Sequence, residues 1–196
     1  VLNSGKAARE VELTDEEKLI VKGFHLLTMK PILYVLNRKS GAVNIDAENG
    51  NRWRELQNFL EATKAKFVFV DAGVENELND VGEEEKSDFR RELGVSSDGI
   101  DDLIKSGYAL LDLISFFTTG EKETRAWTIK RGSTAPEAGA AIHTDFKDKF
   151  IRMDTIATDK LLECGSWAAA REKGLVRSEG KGYVVQDGDV VEFKHG

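Results

Sequence analysis

The sequence predicts an α/β unit built on a parallel sheet, followed by a smaller α+β unit, and three observations carry that prediction. Two short β-rich apolar runs, Pro31–Asn37 and Phe67–Val70, flank an amphipathic segment from Asn51 to Thr63, which makes a strand-helix-strand crossover of the parallel kind. Downstream, residues 125–153 read as strand, capped helix and strand. A 40% hydrophobic and 32% charged composition is that of an ordinary globular protein, and no apolar run approaches the roughly 18 residues that span a bilayer.

Residues 1–13 are polar and glycine-containing, with only Val11 and Leu13 as anchors, so little order is expected there. Thr14-Asp15-Glu16-Glu17 is a capping box before Leu19, Ile20, Val21, Phe24 and Leu27, an apolar helical stripe that calls for a packing partner. Pro31–Asn37 reads as a buried parallel strand ending in a polar residue. In the helix that follows, Trp53, Leu56, Phe59 and Leu60 share a face. The carboxyl ends of the two strands, where open parallel sheets bind ligands, present Asn37 and Asp71-Ala72-Gly73.

A surface helix is predicted over residues 83–93, with acids at its start and Arg90 and Arg91 near its end, as the helix dipole prefers. Gly94 stops it, and Ile100, Leu103, Ile104, Tyr108, Leu110, Leu111 and Leu113 mark a second helix. A boundary near Ser115 separates the units, and Phe116 and Phe117 open the second. There, Arg125–Ile129 alternate as a strand, Gly132 turns the chain, and Thr134, Pro136 and Glu137 start a short alanine-rich helix. His143-Thr144-Asp145-Phe146 forms a polar corner leading into the strand Phe150–Met153.

The net charge of −7 argues against a strongly basic nucleic-acid binder, yet the acidity lies wholly in residues 1–114, and residues 115–196 are balanced. A local basic face therefore remains open in the second unit. One cysteine, Cys164, excludes an internal disulfide, and the first residues form no charged-then-apolar signal sequence. Both point to the cytoplasm.

The run RAWTIKRGSTAPEAGAAIHTDFKDKFIRM, residues 125–153, together with the closing GKGYVVQDGDVVEF, residues 180–193, resembles the C-terminal region of the YchF or Obg-like ATPase family. The resemblance implies three parts: the end of a helical insertion (1–29), the C-terminal part of a GTPase-like nucleotide-binding domain with a parallel sheet (30–114), and a TGS domain of ubiquitin-like β-grasp fold (115–196). It implies strands within 180–193. It also places Asn37 at the family's base-recognition motif, Asn-x-x-Glu, and residues 71–78 at the second base loop. Asn37, Arg38, Ser40, Asp71, Ala72 and Gly73 thereby become the candidate nucleotide-binding residues. Ser40 stands where the family has glutamate, so an adenine or guanine preference does not carry over.

No Gly-x-x-x-x-Gly-Lys-Ser/Thr loop occurs in these residues. The expectation is the C-terminal half of a ribosome-associated ATPase that binds ATP or GTP with magnesium when intact, with no nucleotide bound and no hydrolysis by these residues alone. Expected partners are the ribosome or RNA through the TGS domain, the rest of the nucleotide-binding domain, and a second copy through an exposed sheet edge. A stand-alone RNA-binding or protein-interaction module is the alternative, in which Trp127, Phe146 and Phe150 stack on bases. Candidate partner-binding residues are Arg125, Lys130, Arg131, His143, Asp145, Lys147, Lys149 and Arg152. His143 beside Asp145 has no nucleophile to serve, and the three histidines lack metal-ligand spacing, so a hydrogen-bonded structural corner is the favoured reading.

Overall fold

In the computed structural model, which describes residues 2–47, 50–95, 99–120 and 122–196, the chain divides between Leu110 and Leu111 into two units. The first begins with two 3-10 turns, Leu2–Ser4 and Ala8–Glu10, ahead of α1 (Asp15–Lys22). The start is more ordered than its composition suggests, because Ala8 is buried and Arg9 donates to the carbonyls of Thr28 (3.0 Å) and Lys30 (3.3 Å). The capping box of α1 forms as expected: the Thr14 amide donates to the Glu17 carboxylate at 2.8 Å, and the Glu17 amide donates to the Thr14 hydroxyl at 3.3 Å. The backbone bond from Thr14, then its hydroxyl, hold the Glu17 carboxyl below its usual range. Leu19, Ile20, Phe24 and Leu27 remain exposed, so the cap rather than burial defines this helix.

Two strands, β1 (Leu33–Asn37) and β2 (Lys66–Val70), are joined by α2 (Asn51–Ala62) and pair in parallel, from Leu33↔Lys66 to Asn37↔Val70. The expectation of a buried β1 is corrected. It is only half-buried, with Val35 exposed, because among the described residues it pairs along one edge only. The aromatic face of α2 closes on the sheet: Trp53 meets Phe67 and Phe69, and Phe59 meets Tyr34 edge-on at 5.9 Å.

Next come α3 (Ala72–Glu77), α4 (Glu83–Glu92) and α5 (Gly99–Leu111). The first of these replaces the loop expected after β2, and its cap is Asp71, whose carboxylate accepts from the Gly73 and Val74 amides at 3.1 Å each. α4 ends before Gly94, which takes the left-handed conformation with φ +71° that favours glycine. Glu75, buried in α3, ties the three helices together by accepting from Arg90 of α4 (3.0 Å) and from the Gly99 amide of α5 (3.2 Å).

The second unit is a mixed five-stranded sheet. Its elements run β3 (Leu113–Thr119), β4 (Thr124–Lys130), α6 (Ala135–Ile142), α7 (Thr144–Asp148), β5 (Phe150–Ala157), α8 (Thr158–Cys164), α9 (Trp167–Glu172), β6 (Arg177–Glu179) and β7 (Asp189–His195). Strand order is β4-β3-β7-β5-β6, with β3 and β7 parallel and the other pairs antiparallel. The division between Leu110 and Leu111 falls near Ser115, which lies inside β3 because only Asp112 intervenes between α5 and the strand. The closing segment is also shorter in strand than expected. Residues 180–188 are turns with one bridge, Thr134↔Val184, and only β7 is a full strand. α8, α9 and β6 escaped the sequence reading.

α6 lies on one face of this sheet because its residues are small. Ala135 and Ala138 are fully buried among Ile114, Phe116, Ile129, Met153 and Val191. On the other face Ile156, Ala170 and Val190 make a second cluster with Phe117, Leu161 and Trp167. Gly139 sets the approach of α6 to α7, since a Cβ there would sit 3.0 Å from the Phe146 Cβ and 3.2 Å from its carbonyl oxygen. Gly139→Ala is therefore expected to destabilise by about 1–3 kcal/mol in urea unfolding, despite the roughly 0.5–1 kcal/mol that alanine gains in a helix.

A buried polar knot closes the unit. Asp189, 3% exposed, accepts from the Tyr183 hydroxyl at 2.8 Å and the Gln186 amide at 2.9 Å, while Arg177 donates to the Tyr183 oxygen at 2.9 Å. Burial, then the bond to Asp189, push the Tyr183 phenol above its ordinary value of 10.0. A raised pKa means that its contribution to stability is full below that value and is lost as the pH climbs through the folded one. Ultraviolet titration should show a late phenol that disappears in Tyr183→Phe, and that variant should lose stability less steeply as the pH rises from the ordinary phenol value through the raised one.

Candidate functional site

Parallel pairing of β1 and β2 brings Asn37 and Val70 side by side, so the loops leaving these strands start together at the carboxyl edge. The Arg38 amide extends the ladder by donating to the Val70 carbonyl at 2.8 Å. Beyond it, side chains fasten loop to loop. Asn37 Oδ1 accepts from the Ala72 amide at 3.1 Å, and the Ser40 amide donates to Asp71 Oδ2 at 2.5 Å. The other Asp71 oxygen holds the first turn of α3, so one carboxylate both caps a helix and anchors the opposite loop. The Ser40 hydroxyl donates to the Leu93 carbonyl at 2.8 Å, adding the turn after α4 to the assembly.

These three segments surround a cavity of about 410 Å³ lined by Arg38, Ser40, Asp46, Phe69, Asp71 and Leu93 among others. One wall is an Arg38 guanidinium lying 3.6 Å over the Phe69 ring and ion-paired with Asp46. Leu93 and Val95 contribute apolar surface. Asn44 shapes the first loop by accepting from the Lys39 amide at 2.8 Å and donating to the Lys39 and Ala42 carbonyls at 3.1 and 3.2 Å. A flat cationic and aromatic wall with aliphatic surface nearby suits a planar heteroaromatic ring. Two cations, Arg38 and Lys39, face two carboxylates, Asp46 and Asp71, so nothing here concentrates the positive charge that a polyphosphate requires.

Of the six residues singled out from sequence, Arg38, Ser40 and Asp71 line the cavity. Asn37, Ala72 and Gly73 stand behind them as parts of the hydrogen-bonded frame. Sequence reasoning missed Asn44, Asp46, Phe69 and Leu93. The Asn44-Ile45-Asp46 run after Gly41 was the one local signal for the first two, and Leu93 comes from a distant turn that no local pattern links to the loop.

The candidate partner residues fall into two groups. Arg125, Lys130 and Arg131 lie on and after β4: Arg125 over the Trp127 ring at 4.3 Å, Lys130 donating to the Leu111 carbonyl at 2.5 Å, and Arg131 paired with Asp112 at 3.2 Å. His143, Asp145, Lys147 and Lys149 belong to α7 and its ends, and Arg152 to β5, which two strands separate from β4. The polar corner is thus the N-terminus of a short helix. His143 Nδ1 caps it by accepting from the Asp145 amide at 3.2 Å, and Lys149 lies 3.7 Å from the Asp145 carboxylate. Base stacking is not open to all three aromatics, because Phe150 is 5% exposed and Phe146 stacks on Phe193 at 5.7 Å. Trp127 is half-buried and donates to the Thr118 hydroxyl at 2.9 Å.

Among the described residues no group of three or more His, Cys, Asp or Glu side chains is placed to hold a metal ion, and no helix is long and apolar enough to cross a membrane.

Residues 113–196 match the family model YchF-GTPase_C, described as a protein of unknown function (DUF933). The chain is 46% identical over 191 residues to the ribosome-binding ATPase YchF of Bacillus subtilis, covering 97% of this chain and 52% of the relative. It is 40% identical over 195 residues to the protein of the same name from Pasteurella multocida, covering 99% of this chain and 52% of that relative. The solved structure of the Schizosaccharomyces pombe YchF GTPase superposes with a TM-score of 0.81 at 27% identity, over 98% of this chain and 50% of that one. A GTP-binding protein from Pyrococcus horikoshii shares the fold alone, with a TM-score of 0.58 at 19% identity over 86% of this chain and 47% of that one. The chain spans about half the length of the curated relatives it matches, and it belongs to the YchF family as its C-terminal portion.

Proposed function

We propose that the first unit carries the base-reading loops of a nucleotide-hydrolysing YchF protein and that the second is its TGS module, which engages the ribosome. The observation that carries this reading is the double fastening of the two strand-end loops, Asn37 to Ala72 and Ser40 to Asp71, around a cavity of base-like size. Arg38 and Phe69 supply a stacking wall, and the backbone around Ser40 and Asp71 supplies the polar edge. The Ser40 amide and the single hydroxyl proton are both given to protein partners, so Ser40 can meet a base edge only as an acceptor, and donors that read the base come from other atoms of the loops. The residues fit a purine ring and offer no cradle for its phosphates or for magnesium. Phosphates and magnesium would have to be held by other residues of a longer protein, where the metal would supply charge neutralisation.

Titration of this chain with ATP and GTP in magnesium is expected to show no saturation below millimolar concentrations. Co-sedimentation with purified ribosomes is expected to be salt-dependent and to survive removal of residues 1–110. Micromolar, magnesium-dependent nucleotide binding by this chain would overturn the division of labour, and loss of ribosome binding with the first unit would move the contact away from the TGS module.

A further inference from the structure

β4 ends the sheet order on one side, and among the described residues no strand pairs with its outer edge. Its pairing with β3 is unbroken from Thr124↔Thr119 to Lys130↔Leu113, so a regular seven-residue strand leaves alternate amides and carbonyls facing outward. Edges of this kind are usually blunted by proline, a bulge, a short strand or charged side chains, and of these β4 has only the charges of Arg125 and Lys130. The side chains beside the edge are small on one face: Thr124, Ala126 and Thr128 are all exposed. Adjoining them, Phe117, Leu161, Leu162 and Val190 line an apolar hollow of about 260 Å³ that also includes Thr124. Leu162 is 75% exposed at its rim, although it is a large apolar side chain in a short helix. The strand carries Arg125 and Lys130 and no acid.

We propose that the outer edge of β4 binds an extended segment of a partner protein as a sixth strand, with apolar residues at the centre of that segment and acidic residues at its ends. Backbone pairing supplies the affinity, and alternate side chains supply the selectivity. A β-branched residue of the segment passes over Ala126 toward the hollow, where a larger residue on β4 would obstruct it. Arg125 and Lys130 are five residues apart, about 17 Å along a strand, and lie on opposite faces. Acids near both ends of a seven-residue segment meet one cation each. The Arg125 guanidinium is available for this over the Trp127 ring, and the Lys130 ammonium at the carbonyl of Leu111 still has two N–H donors to give.

The test uses the whole chain and an acetylated, amidated peptide, Asp-Glu-Val-Ile-Val-Asp-Glu, with amide hydrogen exchange as the readout. Protection is expected at alternate amides of β4, and N-methylation of alternate peptide amides should abolish it. Arg125→Glu should weaken binding roughly fivefold, the effect of one exposed charge pair, and Ala126→Phe should weaken it more by filling the shelf. Unchanged exchange along β4, or equal binding by the N-methylated peptide, would overturn the proposal. Protection of the same amides by an oligouridine that displaces the peptide would assign the edge to RNA and overturn it as well.

Discussion

Glu75→Ala is expected to destabilise the first unit by about 3–5 kcal/mol, the usual result of truncating one partner of a buried ion pair. Glu75 and Arg90 have side chains only 7% and 13% exposed, at 3.0 Å. Removing the carboxylate takes a buried opposite charge away from the guanidinium and also releases the Gly99 amide, which sits in the first turn of α5. Shape does not rescue the loss, since Gly99 packs so closely on Glu75 and Val70 that a Cβ there would meet both at 3.2 Å. The expected signature is a lower urea midpoint with accelerated amide exchange across α3, α4 and α5. The second unit should keep its exchange pattern. A Glu75→Met, Arg90→Met double variant should recover much of the loss, because a hydrophobic pair of similar volume avoids the desolvation of two charges. A small effect of Glu75→Ala, within about 0.5 kcal/mol as for a surface site, would show that the pair is solvated.

Asp71→Ala is expected to cost about 2 kcal/mol, combining a lost helix cap with a lost charge-assisted bond to the Ser40 amide. The informative comparison is Asp71→Asn. An asparagine can keep one oxygen on the Gly73 and Val74 amides, but its NH₂ group then faces the Ser40 N–H, donor against donor. The cap of α3 should survive while the fastening of the first loop fails. Exchange at Ser40 should therefore quicken in Asp71→Asn with Gly73 and Val74 unchanged, whereas all three quicken in Asp71→Ala. Ser40 exchange unchanged from the wild type in both variants would show that the loop is held by Asn44 and Leu93 instead.

What could be read from the residues alone follows from local physics. The Thr14 capping box, the helix start at Thr134 with Glu137 in its first turn, the α2 stripe of Trp53, Phe59 and Leu60, and the stop at Gly94 are local signals, and each formed where the spacing places it. Where a short segment had two local solutions the reading failed. Residues 72–77 lack a clear apolar period and read as a loop, until the Asp71 carboxylate is seen to cap them. The His143 corner likewise becomes a helix through a side-chain cap that reaches only two residues on.

The site shows the same division. Asn37, Ser40 and Asp71 could be placed at strand ends from sequence, since a parallel strand-helix-strand unit puts both carboxyl ends on one edge. That Asp71 serves as a fastener shared by two loops, that Ser40 spends its hydroxyl on Leu93, and that Arg38 lies on Phe69 are contacts between residues 31 to 53 positions apart. By itself the sequence determined the β1-α2-β2 order with its parallel pairing, the helices α1, α4 and α5, and the helix start at Thr134, because each depends on backbone preferences and periodicity in local segments. Only the tertiary structure decided which polar atoms remain free to meet a ligand and which edge of the second sheet stays unpaired. Hydrogen-bond partners and strand neighbours are chosen in space, after distant segments have packed.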